Sequence, residues 1–175
     1  KGKTIGIIGY GNMGSAFAQK ISGFGARLIA YDKFKSNYAD ALISEVSLEQ
    51  VWAEADIVTL HIPYLPENHH FVNDAFLQRF QKPIYLVNTA RGTILHTADL
   101  VKNLQTGKVL GAALDVFEYE EQSFENLKPT ELPEPFQYLR NADNVVLTPH
   151  LGGSSVESNE GHARVLADKI EKLFC

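Results

Sequence analysis

The sequence predicts an α/β fold built on a doubly wound parallel sheet, and three observations carry that expectation. Short β-rich runs alternate with helix-patterned segments along the whole 175-residue chain. Those runs, such as TIGII and IVTL, are apolar throughout rather than alternating, so both of their faces need cover. A glycine-rich turn joins the first run to the first helical pattern.

In chain order, the first strand is expected over Thr4–Gly9. A helix over Asn12–Phe24 follows, with Met13, Phe17 and Ile21 at helical spacing. Arg27–Tyr31 is the second strand. Ser47 has the right chemistry to cap a short helix running to Ala55. Ile57–His61 is the third strand, and Pro63 and Pro66 break the chain behind it. A short helix over Asp74–Phe80 leads to a strand at Ile84–Asn88. Thr97–Thr106 is a helix closed by Gly107, followed by a strand from Val109 to Val116. The last strand is expected at Asn144–Thr148. The last helix covers Ser154–Phe174, with Val165, Leu166, Ile170 and Leu173 on one face. Between them Phe117–Asp143, with Pro129, Pro133, Pro135 and a cluster of acids, reads as one long loop. No repeat or linker divides the chain, so residues 1–175 read as a single domain.

Composition narrows the function. A chain with 45% hydrophobic and 21% charged residues can bury a full core and is not disordered. A net charge of −5 without a Lys/Arg cluster argues against nucleic acid and anionic membranes as partners. No run approaches the roughly 18 apolar residues that span a bilayer. The chain starts at Lys1 without a methionine and enters a strand at once. It is therefore expected to lack a signal peptide and to be a processed product or an excised piece. Cys175 is the sole cysteine, which excludes an intrachain disulfide, and the expected location is cytoplasmic. No metal is expected, because the adjacent His69–His70 and the scattered histidines show no ligand spacing.

Gly9-Tyr10-Gly11-Asn12-Met13-Gly14 fits G-x-G-x-x-G after a strand and at the start of a helix. Gly9 permits the tight turn, Gly11 lets a pyrophosphate approach the backbone, and Gly14 lets helix pack on strand. The helix N-terminus offers unpaired N–H groups and a partial positive charge to the phosphates. Asp32 stands 18 residues beyond Gly14, at the end of the next strand. It would accept hydrogen bonds from both ribose hydroxyls and repel a 2′-phosphate, which favours NAD over NADP. Together these features describe a Rossmann-type NAD-binding domain.

Four segments make the reading specific: GKTIGIIGYGNMG at the start, LHIPYLPEN at 60–68, LVNTARGTILHTADLVKNLQTGKVLGAALDVFEYEE at 86–121, and NVVLTPHLGG at 144–153. With them the chain resembles the NAD-binding domain of the D-isomer-specific 2-hydroxyacid dehydrogenases, the family of D-lactate, glycerate and 3-phosphoglycerate dehydrogenases. The resemblance implies hydride transfer between NAD and a small 2-hydroxyacid or 2-keto acid, and a homodimer. It places the catalytic arginine at Arg91, where a guanidinium can grip a carboxylate with two parallel hydrogen bonds. It places the catalytic histidine at His150, whose imidazole takes and returns the hydroxyl proton near neutrality.

The resemblance implies a partner acid five positions after Asp115, which puts it at Glu120, with Glu118 and Glu121 as competitors by type. Glu121 stands where many relatives carry proline, and the loop beyond looks longer than usual. Asp115 itself is expected near the nicotinamide carboxamide. By the same correspondence Asn12 and Met13 offer N–H groups to the pyrophosphate, and Ile62 and Pro63 cover the adenosine. Thr89, Ala90 and the stretch Leu151–Gly153, with Gly152, border the nicotinamide. His61 is a wall of the adenine side, whereas His69, His70, His96 and His162 read as core or surface residues. Leu65 and Asn68 replace the usual threonines of the proline loop.

The resemblance also implies a second domain, absent from these residues, that holds the substrate carboxylate. Two other readings exist. One is an NADH-sensing binding protein of the corepressor type, which shares the fold and the catalytic set. The other is a β-hydroxyacid dehydrogenase with a catalytic lysine, against which the NTARG and TPH segments stand.

Overall fold

A computed structural model describes residues 2–120 and 132–174. Its centre is a seven-stranded sheet comprising β1 (Thr4–Ile8), β2 (Arg27–Tyr31), β3 (Ser44–Glu45), β4 (Ile57–Leu60), β5 (Ile84–Asn88), β6 (Val109–Leu114) and β7 (Val145–Leu147). The strand order is β3-β2-β1-β4-β5-β6-β7, and each neighbouring pair is parallel. The order reverses between β1 and β4, the point at which ligands of such sheets gather.

Among the described residues six α-helices accompany the sheet: α1 (Asn12–Ile21), α2 (Leu48–Glu54), α3 (Asp74–Gln78), α4 (Thr97–Gln105), α5 (Glu134–Asn141) and α6 (Val156–Phe174). Strand β1 shows why both faces are covered. Ile7 lies against α1 at Gly14, while a side chain at Gly6 would strike Val51 and Ala55 beside α2. Two buried clusters result, one including Ile5 and Ile7, the other including Ile8 and extending through Leu60, Phe80, Leu86 and Leu114. The doubly wound parallel sheet expected from the apolar runs is therefore present.

Three differences have local causes. The first helix ends at Ile21, and Ser22–Phe24 tightens into a 3-10 turn closed by Gly25 at φ 68°. Strand β3 has only two residues at the sheet edge, too few to leave a pattern. The supposed long loop contains α5. Pro133 and Pro135 sit at its cap and first turn, where missing N–H groups are tolerated, and Phe136 and Leu139 bury its inner face. The last helix forms where the sequence places it, but α6 buries none of its residues, and Val165, Leu166, Ile170 and Leu173 are all exposed. No helix of the described residues is long and apolar enough to cross a membrane.

Candidate active site

Parallel strands end on one edge, and the sequence-predicted residues gather there: Gly9 after β1, Asp32 after β2, His61–Pro63 after β4, Thr89–Arg91 after β5, Asp115 after β6 and His150 after β7. Two groups of them form, one around β1, β2 and β4, the other around β5, β6 and β7.

The first group is mostly main chain. Gly9 turns at φ 94°, and a Cβ there would lie 2.7 Å from the His61 carbonyl oxygen. A Cβ on Gly14 would lie 2.1 Å from the Gly9 carbonyl oxygen, so α1 can cross the strand end only with glycine there. Gly11 is different: nothing stands within 4 Å of where its Cβ would be. It is the N-cap of α1, which has no side-chain cap and no acid in its first turn. The N–H groups at Asn12 and Met13 are thus open to an anion.

Asp32 anchors the second strand end. Its Oδ2 accepts the Tyr10 N–H at 2.8 Å, and its Oδ1 accepts the N–H groups of Phe34 at 2.8 Å and Lys35 at 3.0 Å. It lines a pocket with Gly9, His61, Ile62 and Pro63. Asn68, standing where threonine is usual, donates its amide to the Pro63 carbonyl at 2.8 Å and braces that wall. His61 packs its ring on Phe17 and meets Thr59 Oγ1 at 3.1 Å. Burial pushes its pKa down to about 4, so the ring is neutral near pH 7. An open cradle, an uncapped helix and a carboxylate at the next strand end suit a dinucleotide.

The second group is made by side chains that reach across the fold. Asn88, fully buried at the end of β5, accepts the Ala90 N–H at 3.1 Å and donates to the Arg91 carbonyl at 3.1 Å. One amide thereby closes the turn that carries Thr89, Ala90 and Arg91. The exposed Arg91 guanidinium donates to the Ala90 carbonyl at 2.6 Å. Gly92 follows against the Phe117 carbonyl oxygen, 1.8 Å from where a Cβ would be, so no other residue fits there.

Asp115 organises the last loop. Its Oδ1 accepts the Thr148 hydroxyl at 2.6 Å and the Leu151 N–H at 2.8 Å, and its Oδ2 accepts the Gly152 N–H at 2.8 Å. Burial pushes this carboxyl up, but those hydrogen bonds and the nearby His150 hold it below the usual range. Its carbonyl also accepts the His150 N–H at 2.9 Å.

His150 is held in the left-handed region at φ 54°, and its Nδ1 lies 3.1 Å from Glu120 Oε2. The other Glu120 oxygen accepts the Phe117 N–H at 2.8 Å, which fixes the carboxylate. Glu118 points elsewhere, 2.7 Å from His70 Nε2 and accepting the Thr97 N–H at 2.8 Å. Glu121 lies outside the described residues. Of the two acids described, only Glu120 meets the imidazole.

Three residues that shape the site were not singled out from sequence: Asn88, Gly92 and Thr148. A polar residue closing an apolar strand was the available signal for Asn88 and Thr148. Gly92 gave none, since its neighbour Phe117 is distant in the chain.

With this geometry in place, residues 1–152 match the family described as D-isomer specific 2-hydroxyacid dehydrogenase, NAD binding domain. The chain belongs to that family. NAD is therefore its cofactor.

An aromatic 2-oxoacid reductase of Clostridium sporogenes is 38% identical over 152 residues, covering 85% of this chain and 46% of the relative. A glyoxylate reductase of Thermofilum pendens is 37% identical over 173 residues, covering 97% and 48%. Among solved structures, the NAD-complexed D-isomer specific 2-hydroxyacid dehydrogenase of Lactobacillus delbrueckii ssp. bulgaricus superposes with a TM-score of 0.87. It is 35% identical, with 97% of this chain and 54% of that one covered. The chain thus spans about half the length of the dehydrogenases and reductases it resembles.

Proposed function

We propose that this chain is the cofactor half of a two-domain D-2-hydroxyacid dehydrogenase. Its reaction reduces a 2-keto acid, or oxidises a 2-hydroxyacid, by hydride transfer. One observation carries the proposal: the His150–Glu120 pair at 3.1 Å, on a strand-end loop organised by Asp115. The Clostridium and Thermofilum relatives are reductases and the Lactobacillus one a dehydrogenase, which favours turnover over the corepressor reading. A cytoplasmic location, argued from the single cysteine, and a homodimer, argued from the resemblance, belong to the same proposal.

NAD bound on the Gly9–Gly14 turn and Asp32 would supply or accept the hydride. Asn12 and Met13 would hold the pyrophosphate, Ile62 and Pro63 would cover the adenosine, and Thr89, Ala90, Asp115, Gly152 and Gly153 would border the nicotinamide. Arg91 is exposed on a rigid turn and orients the substrate carboxylate and carbonyl with its fork of donors. Glu120 takes the Nδ1 proton of His150 as a hydrogen bond, which leaves Nε2 to face substrate. In reduction the imidazolium gives its proton to the forming alkoxide; in oxidation the neutral ring accepts it back. Substrate capture needs a second unit, because the edge that carries Arg91 and His150 is open to solvent.

The complete protein tests the relay. Glu120→Gln replaces the carboxylate that holds Nδ1 and orients the ring, so kcat for keto-acid reduction and for hydroxyacid oxidation should both fall while NADH affinity stays near wild type. His150→Gln lowers turnover by about 10²–10⁴-fold with NADH binding nearly intact, the usual worth of a general acid–base group. A kcat lowered by Glu118→Gln and not by Glu120→Gln would overturn the assignment.

A further inference from the structure

The fold unites histidines that sequence spacing keeps apart. His70 follows the proline loop, His96 is the N-cap of α4, and Glu118 follows β6. Each offers one ligand atom, and the three atoms lie within 4.8 Å of one another. The rings are close: His69 and His70 stack at 3.9 Å, and His70 and His96 tilt together at 4.6 Å.

We propose that His70, His96 and Glu118 form a binding site for one divalent ion of the Zn²⁺ or Co²⁺ class. Two imidazoles and a carboxylate are a donor set that such ions take, with a position left for water. Metal–ligand bonds of about 2.0–2.1 Å in a tetrahedron set neighbouring donors roughly 3.3 Å apart. The cluster brackets that value, with 2.7 Å between His70 and Glu118 and no separation beyond 4.8 Å. Side-chain adjustment of about an ångström closes it.

The surroundings also suit an ion. Asp99 Oδ2 lies 2.9 Å from His96 Nδ1, a partner that would hold the proton there and leave the Nε2 lone pair to the ion. The Thr97 N–H fixes the outer oxygen of Glu118 at 2.8 Å. Two carboxylates, Glu118 and Asp99, face these rings, so a dication balances their charge. The ion would tie three segments together: the loop before Val72, the start of α4, and the Phe117–Glu120 turn. The site uses none of the residues assigned to the cofactor or substrate.

The test uses the chain with Cys175→Ser, which removes the sole thiol as a competing ligand. Titration with Co²⁺ alone should give one saturable site per chain with visible d–d absorption. Zn²⁺ should displace it and, at a hundredfold excess over its Kd, raise Tm by about 5–10 °C. His96→Gln should weaken the site at least about 100-fold, and Asp99→Asn, which only orients a ligand, about 10-fold. His162→Gln, on exposed α6, should change nothing. Glu118→Gln repeats the test should His96→Gln fail the far-UV CD check of folding. Absence of a saturable site, or wild-type affinity in the His96 and Glu118 variants, overturns the proposal. None of these readouts depends on turnover or NADH, so they stand apart from the dehydrogenase reading.

Discussion

Around β1, β2 and β4 the site is built from main chain, whereas around β5, β6 and β7 it is built from side chains that cross the fold. On the first side glycines shape the cradle, and Asp32 is tied to the N–H groups of Tyr10, Phe34 and Lys35. On the second side Asn88 closes one turn, Asp115 closes another, and Glu120 reaches His150 from 30 positions away. The difference follows from what each side must handle. A pyrophosphate and a ribose present the same groups whatever the substrate, and backbone N–H groups serve them. Proton transfer and carboxylate orientation need titratable and forked groups in fixed poses, which only braced side chains supply.

Two glycines break or sharpen this comparison with the largest effect. Gly92→Ala forces a methyl into the Phe117 carbonyl and should cost about 3 kcal/mol or more in urea unfolding. Gly11→Ala meets nothing within 4 Å, so stability should change by no more than about 1 kcal/mol. Its methyl nevertheless occupies the cradle, and NADH affinity should fall. Equal stability losses in the two variants would erase the distinction between a glycine kept for packing and one kept for a ligand.

Asp32→Ala should come next. Losing charge-assisted hydrogen bonds to a ribose should weaken NADH about 10- to 100-fold, with a much smaller effect on NADPH. Fluorescence titration of both nucleotides reads this directly. Wild-type binding of NADPH as tight as NADH would refute the role of the carboxylate.

What could be read from sequence divides along the same line. The Gly9–Gly14 turn, Asp32 and the strands Arg27–Tyr31 and Ile84–Asn88 depend on neighbours close in sequence, so their patterns sit in contiguous residues. Asn88, Gly92 and the gathering of His70, His96 and Glu118 depend on contacts between distant segments, which no local pattern records. Helix α5 was hidden for another reason: its prolines lie at the one end of a helix where they do no harm. Even Glu120 was reached only through a family resemblance, since type and charge left it level with Glu118.

His61 offers a pH test of the first side. Its folded pKa of about 4 lies below the ordinary 6.5, so the unfolded chain binds the proton more readily. The stability it confers is complete above pH 6.5 and is lost as pH falls toward 4. Because part of the ring faces the pocket, the loss should be roughly 2 kcal/mol rather than the full value of the shift. Urea unfolding at pH 7 and at pH 4.5 should show that drop in wild type and a smaller one in His61→Gln. Identical drops would mean that the ring is not buried as described.

The smallest effect tests the most local element. Ser47 caps α2 by accepting the Gln50 N–H at 3.3 Å, and Gln50 Oε1 accepts the Ser47 N–H at 3.2 Å. Both bonds are exposed, so water replaces them at modest cost. Ser47→Ala should therefore lower stability by about 1 kcal/mol. Gln50→Ala should cost less, because it removes only the return bond and leaves the Ser47 hydroxyl in place. The double variant should lose less than the sum of the two, since the bonds hold one another in position. Val51, one position beyond Gln50, packs against Gly6 of β1, so a frayed first turn would loosen the strand that leads into the cradle. NADH affinity in Ser47→Ala decides whether that loosening propagates. An unchanged Kd confines the cap to stability, whereas a weakened one would make the main-chain side of the site as dependent on remote side chains as the catalytic side.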